Sequence, residues 1–413
     1  MVQPKSGRIE ALEGVRGIAA LIVAIFHFCS GFLPHIVPDR QPNASPSWLV
    51  DTPLEFFYNG PFAVTIFFVL SGFVIANAAA NRPFPLILNL VFRYARLAVP
   101  VIVSVILAWA LLTAFPDVAI KLSHVISSDW LSGTYQDPIP DFYTALREGL
   151  FNAFFAKGVR FNNVLWTMRI ELIGSCGVYV FYALVHERFR ILALPFCFIA
   201  IAGHDLLMNY ENFVLGALIR ELYVRKWYFG ILSILLFLIG ILLGFPGTGF
   251  SDRVHLPYTL NTFLQAHPVP GWLWPSNAFW DSWGLQPPFK LDMFVLGDKE
   301  SMLCPLAASL IIYGVLGSSL LQRILSMRAP AFLGRISFAL YLIHVPLIYT
   351  VFAKLYLILP APVGAFGLAG IFAAFLFACL LGGYFFTVLV DEPALWLIAQ
   401  SRRSTAGLLK YLP

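Results

Sequence analysis

The sequence predicts an all-α integral membrane protein, a single domain over residues 1–413 with about ten transmembrane helices and both termini in the cytoplasm. Three observations lead there. Of the 413 residues 59% are hydrophobic and 12% charged, with 39 Phe, and mean hydropathy is +0.79, a balance water-soluble domains do not show. Apolar runs recur along nearly the whole chain, most of them about 18 to 25 residues long and so able to cross roughly 30 Å of hydrocarbon as helices. Lys and Arg collect in alternate connecting segments, as the positive-inside rule requires.

The first run, 17–34, follows Arg8 and Glu10 and shows no small-residue cleavage pattern after it, so it reads as a retained helix behind a cytoplasmic N-terminus at 1–13. Spans follow at 61–79, 97–115, 164–185 and 191–208. The sixth, 211–224, is short and broken by Arg220, and 228–246, 301–320, 336–357 and 363–390 complete the set. With the N-terminus inside, 80–96, 186–190, 220–227, 321–335 and a tail at 391–413 are also inside, and they hold most of the basic residues. The outer segments, 35–60, 116–163 and 247–300, are poorer in Lys and Arg and rich in Pro, Trp, Tyr, Asp and Asn, which suits an extracytoplasmic lid at 247–300. Its Trp272, Trp274, Trp280 and Trp283 suit sugar stacking and membrane interfaces equally in kind. The five cysteines lie in or beside apolar runs with no CxxC pair, which argues against a disulfide framework or thiolate metal site.

Ionisable groups inside spans are costly and mark a path or a site by default. Here they are Arg16 and His27, Arg169 and Glu171, His204, and His344. Eleven residues bring Arg16 and His27 to within roughly 20° of each other on a helix and about 16 Å apart along its axis. One face then carries a cation at the cytoplasmic mouth and a titratable base further in, which suits a long ligand with a charged end and a reactive end. The alternative is that Arg16 anchors the helix at the interface and His27 hydrogen-bonds a neighbouring helix. "RYAR" places Arg93 and Arg96 three apart, so two guanidinium forks point one way, an arrangement that grips phosphate. Glu171 orients His27, holds an acceptor hydroxyl or neutralises an arginine of another helix; the sequence does not choose.

Arg16, ten residues and His27 resemble the R-x10-H signature of the membrane acyltransferase-3 family. "FFVLSGFVI" (67–75), "RYAR" (93–96), "LWTMRIEL" (165–172), "GRISFALYLIHVPLI" (334–348) and "DEP" (391–393) follow in that family's order, so the resemblance covers almost the whole chain. It implies transfer of an acyl group, usually acetyl from acetyl-CoA, to a hydroxyl of a sugar or similar acceptor. In the resemblance His27 matches the family's essential histidine, Arg16 its first-helix arginine, Arg93 and Arg96 its cytoplasmic arginine pair, Glu171 its acid and His344 its YL-x-H-x-P histidine. The residues themselves are read as catalytic at His27 and Glu171, donor-binding at Arg16, Arg93 and Arg96, and substrate-binding at Ser71, Trp166, Tyr341 and His344. The chain departs from the commoner WSLSVEE form, having the single acid Glu171 with Arg169 two residues earlier.

Rebuilt from the residues, acyl transfer needs a base for the hydroxyl proton, donors for the oxyanion and a grip on polyphosphate. His27 supplies the base and the three arginines the grip. The "SGF" at Ser71 and Gly72 admits an acyl chain, supplies a donor or packs two helices closely. His344, followed by Pro346, binds substrate or belongs to the core. Expected partners are acyl-CoA, a carbohydrate or other hydroxyl-bearing acceptor and the lipid bilayer of the cell membrane, or of an internal membrane in a eukaryote. Neither nucleic acid nor a metal is expected, since His27, His204 and His344 lack ligand-like spacing. The rival readings are a proton-coupled transporter and an inactive acyltransferase-like binding protein.

Overall fold

The computed structural model describes residues 9–37, 53–81, 84–133, 138–156, 158–201, 209–227, 230–244 and 303–409. The lid expected at 247–300, with its four tryptophans, and His204 lie outside them. Among the described residues the fold is all-helical, without strands. Helix α1 is Glu10–Phe32, α2 Gly60–Ala80, α3 Leu86–Ala114, α4 Val118–Ile126 and α5 Asp129–Gly133. Helix α6, Phe142–Arg147, passes through a π turn at Glu148–Asn152 into α7, Ala153–Phe155. Then come α8 Trp166–Leu184, α9 Glu187–Ile201, α10 Tyr210–Val224, α11 Gly230–Leu243, α12 Leu303–Gly317 and α13 Ser319–Leu325. Helix α14, Arg328–Leu347, runs through a π turn at Ile348–Phe352 into α15, Ala353–Ile358. Helix α16, Ala365–Phe386, likewise continues through Thr387–Asp391 into α17, Glu392–Leu409.

Among the described residues six helical stretches have the length and apolarity to cross a membrane, and the pair α12–α13, bent by 99°, makes a seventh if read as one span. Of the other three expected spans, α10 at 15 residues falls short of the roughly 20 residues a hydrocarbon core needs, while 191–208 and 228–246 lie partly outside the described residues. Helix bounds also move. Helix α3 begins at Leu86 rather than at 97, so Arg93 and Arg96 lie inside it, and the segment expected as a tail continues as α17. Hydropathy reports only the apolar part of a helix, whereas backbone hydrogen bonding continues through its polar ends.

Helix α1 is the centre of the bundle, packed mainly on α14 and α2. It runs parallel to α14: Arg16 meets Gly334 and Ser337, His27 meets His344, and Gly31 faces Ile348, both chains ascending together. The span Arg328–Ile358 has 83% of its apolar window buried, against 17% for Ala365–Ala406, so α14 is interior and α16 peripheral. Small residues bring the backbones together, as they do between helices in lipid. A Cβ at Gly17 would stand 2.3 Å from the Gly334 nitrogen, and one at Gly334 2.5 Å from the Glu13 carbonyl oxygen. The "SGF" segment does the same for α2 and α10: a Cβ on Gly72 would meet the Phe213 carbonyl oxygen at 2.3 Å.

Between α7 and α8 the chain leaves α-helical geometry, and it turns inward at Phe161 and Asn162, both buried. Glu148 accepts the Arg160 N–H at 2.7 Å and the Phe161 N–H at 3.1 Å. Asn162, fully enclosed, donates to Ser104 Oγ at 3.1 Å and to the Leu342 carbonyl at 2.8 Å. That carbonyl belongs to the residue four before Pro346, whose ring nitrogen has no proton to give it. Asn162, with Ser104 Oγ–H at 3.0 Å, takes the missing donor's place.

Candidate active site

Arg16, Ser71, Arg93, Arg96, Glu171 and Tyr341 line one cavity of about 150 Å³, together with Thr167, Ser337, Asp391 and an apolar wall from α2. Five helices and a π turn contribute: α1 brings Arg16, α2 Ser71 and the apolar wall, α3 the two other arginines, α8 Glu171, α14 Ser337 and Tyr341, and the turn Thr387–Asp391 ends in Asp391.

The arginines differ in how they are held. Arg16 donates from Nε to Ser337 Oγ at 2.9 Å and from Nη2 to the Gly334 carbonyl at 3.2 Å, and it pairs with Glu13 one turn earlier at 2.5 Å. Arg93 is buried, its Nη2 paired with Glu171 Oε1 and its Nε donating to Ser175 Oγ at 3.0 Å. Ser71 Oγ–H donates to the same Glu171 oxygen at 2.8 Å. Of the roles open to Glu171, the structure therefore shows the neutralising one, with a serine added. Arg96 is different: its side chain is accessible at the cavity wall, in electrostatic reach of Arg93, Arg16, Asp391 and Glu13. Among the described residues no hydrogen-bond or ion-pair partner occupies its guanidinium. With three arginines against Glu171 and Asp391 the lining carries one net positive charge.

The histidines lie further along the same α1–α14 seam, beyond this lining. His27 Nδ1 and His344 Nε2 are 3.0 Å apart, and His344 Nδ1 is 3.1 Å from the Leu340 carbonyl oxygen. His344 is fully enclosed, His27 half-buried. The indole of Trp130 stacks on His27, centroids 5.3 Å apart at 25°, and Tyr349 packs behind Trp130 at 4.9 Å. Asn163 Nδ2 donates to Tyr349 Oη at 3.2 Å. Tyr341 stands between the two regions. Its ring is 5.9 Å from His344, its hydroxyl donates to the Val164 carbonyl at 2.9 Å and is 2.8 Å from Thr167 Oγ1, and it forms part of the cavity wall.

Trp166 stands apart from both. It is 49% exposed, while its neighbour Thr167 turns inward to Tyr341. Five residues along α8 put Trp166 about 140° from Glu171, which explains why the acid faces the cavity and the indole does not. Several site residues escaped the sequence reading. Ser337 shares one face of α14 with Tyr341 and His344 at i, i+4 and i+7, a spacing that could have revealed it. Asp391 sits in the "DEP" motif, and Trp130 and Asn163 come from connecting segments with no signal of their own. Among the described residues no group of three His, Cys, Asp or Glu is placed to hold a metal.

A family model described as an acyltransferase domain matches residues 9–388. No curated protein and no solved structure matches the chain.

Proposed function

The chain belongs to the membrane acyltransferase-3 family, and on that premise we propose that this membrane acyltransferase moves an acyl group, acetyl in the first instance, from cytoplasmic acyl-CoA to a hydroxyl of a carbohydrate acceptor. The observation that carries the reading is the α1–α14 seam, which holds Arg16 at the cavity through Ser337 and His27, about 16 Å further along, through His344. An elongated donor with a polyanionic end and a thioester end fits that separation. Arg96 supplies an unoccupied planar donor fork for a phosphate, and Arg16 and Arg93 raise the local potential around it.

In the proposed chemistry His27 takes the proton of the acceptor hydroxyl, and the oxygen attacks the thioester carbonyl. The C–O bond forms, the C–S bond breaks and the departing thiolate takes the proton back as CoA-SH. Transfer is direct, within a complex of both substrates. Trp130 and Tyr349 shield His27 on one side, which excludes water from competing for the acyl group.

For topology we propose that the ten apolar segments are membrane-embedded, both termini cytoplasmic, in the cell membrane. The parallel run of α1 and α14, the first and ninth segments, supports this, because odd-numbered segments enter from the same side. The arginine cavity then faces the cytoplasm.

The test is single-turnover release of CoA thiol from acetyl-CoA by the purified protein, with and without a panel of sugars, beside His27→Ala and Arg96→Ala. Acceptor-dependent release lost in His27→Ala, with weakened acetyl-CoA affinity in Arg96→Ala, is expected. A release burst without acceptor would replace direct transfer by an acyl-enzyme. No release and no acetyl-CoA binding would remove the acetyl-CoA reading.

A further inference from the structure

We infer that His344 is a positioning residue that fixes the proton of His27 on Nδ1 and thereby places the basic lone pair of His27 on Nε2. The inference rests on the proposed transfer reading for its purpose, and on hydrogen-bond bookkeeping for its content. A backbone carbonyl only accepts, so His344 Nδ1, 3.1 Å from the Leu340 oxygen, must carry a proton. A neutral imidazole has one N–H, so His344 Nε2 carries a lone pair. The atom facing it at 3.0 Å, His27 Nδ1, must therefore be the donor. His27, neutral in turn, is left with its lone pair on Nε2.

The opposite order would need His344 Nε2 to hold the proton and Nδ1 to oppose the Leu340 carbonyl lone pair for lone pair. An imidazolium at His344 would satisfy both contacts but would place a charge at a fully enclosed position, which is costly. The chain thus sets the tautomer of a half-buried base from a carbonyl two hydrogen bonds away.

The surroundings hold this relay in place. Leu340 and His344 lie one turn apart on α14, and the enclosed Ser104 and Asn162 brace the Leu342 carbonyl between them. Trp130 stacks on the His27 ring, which restricts its rotation about the Cβ–Cγ bond. When His27 takes the acceptor proton on Nε2, its Nδ1–H bond to His344 becomes charge-assisted and strengthens. The stabilisation arises only after proton transfer, so it bears on turnover rather than on binding. His344 on this account touches neither donor nor acceptor, in place of the substrate contact that is one of the two roles the sequence leaves open.

The test compares His344→Leu, which removes the acceptor at nearly constant volume, with His344→Gln, whose amide oxygen can occupy the place of Nε2. His344→Leu should lower kcat roughly 10²- to 10⁴-fold with KM for acyl-CoA within about threefold of wild type, the scale seen when the orienting partner of a catalytic histidine is removed. His344→Gln should recover most of that loss. Equal losses in the two variants, or a kcat for His344→Leu within fivefold of wild type, would overturn the inference. Independently of activity, histidine-selective 15N NMR of the wild-type protein in bilayers should assign His27 as protonated at Nδ1 and bare at Nε2. Protonation at Nε2 would overturn the inference even if His344→Leu failed to fold. Absence of any CoA release in wild type would defeat the transfer reading and leave the 15N result to decide this one.

Discussion

Gly17→Ala should wedge apart the seam that joins the arginine cavity to the histidine pair. The added Cβ would lie 2.3 Å from the Gly334 nitrogen, 2.4 Å from the Leu333 carbonyl carbon and 2.7 Å from Leu333 Cβ. The nearest of these falls about 1 Å short of ordinary contact, and two of the three are backbone atoms that no rotamer change can move aside. Helices α1 and α14 must therefore separate by about 1 Å at this level. The Arg16 to Gly334 bond, already 3.2 Å, would pass beyond hydrogen-bonding range, and the 3.0 Å His27 to His344 contact would stretch toward 4 Å if the helices part as rigid bodies. Overpacking of this kind costs about 1–3 kcal/mol, and a misplacement of about 1 Å at a reacting group costs on the order of 10²-fold in rate. The assay is acyl-transfer kcat together with the thermal midpoint in detergent, with Gly177→Ala on α8 as the control, since nothing stands within 4 Å of a Cβ there. Gly177→Ala should match wild type in rate and equal or exceed it in midpoint, because alanine is the better helix former. Wild-type kcat in Gly17→Ala, or equal effects at the two glycines, would refute the reasoning.

Glu171→Leu should strand the buried Arg93 charge and destabilise the protein by about 3–5 kcal/mol, measured as a lowered midpoint. The double variant Arg93→Met/Glu171→Leu should recover most of that stability while acyl-CoA affinity stays weak; a double variant no more stable than the single one would argue against the pair. Trp130→Ala removes the ring stacked on His27 and should lower kcat more than it raises KM for acyl-CoA, and a pure KM effect would place Trp130 in donor binding instead. Burial pushes the Glu148 carboxyl above its ordinary value despite the Arg160 and Phe161 N–H bonds that pull it down. A raised folded-state pKa gives stability that is complete at acid pH and is lost as pH climbs through the folded value. The midpoint difference between wild type and Glu148→Gln should therefore shrink from about pH 4 toward neutrality, and a difference that grows with pH would reverse the assignment.

The cavity was the most legible part of the molecule because its charged members either sit in apolar runs, where a charge is too costly to be kept without a role, or pair on one helix face. Arg16 and Glu171 could be found by the first criterion and Arg93 with Arg96 by their three-residue spacing, and all four line the same space. What the spacing did not reveal was how they pair. That Glu171 would bind Arg93 and Ser71 depends on α2, α3 and α8 meeting at one level, a long-range fact with no local signature. The histidine pair joins residues 317 positions apart for the same reason. The span at 211–224 shows the converse limit: an apolar run fixes neither helix length nor depth, and α10 stops at 15 residues.

Pro346 ties these observations together. In an isolated helix its missing N–H would leave the Leu342 carbonyl without a donor and weaken α14 just beyond His344. In the folded chain that same carbonyl docks Asn162 and Ser104, so the irregular segment before α8 is pulled against α14. Docking Asn162 there fixes the next residues in turn: Asn163 reaches Tyr349, which backs Trp130 on His27, and Thr167 meets Tyr341 at the cavity wall. The proline's local defect is thus the attachment point that sets the surroundings of both the histidine pair and the arginine cavity. It also accounts for the buried backbone at Phe161 and Asn162 beside α14, since the Phe161 N–H and the Asn162 carbonyl have partners in the protein rather than in lipid. Pro346→Ala would accordingly restore a helical hydrogen bond to the Leu342 carbonyl yet loosen the site, because the regained amide competes with Asn162 for the acceptor.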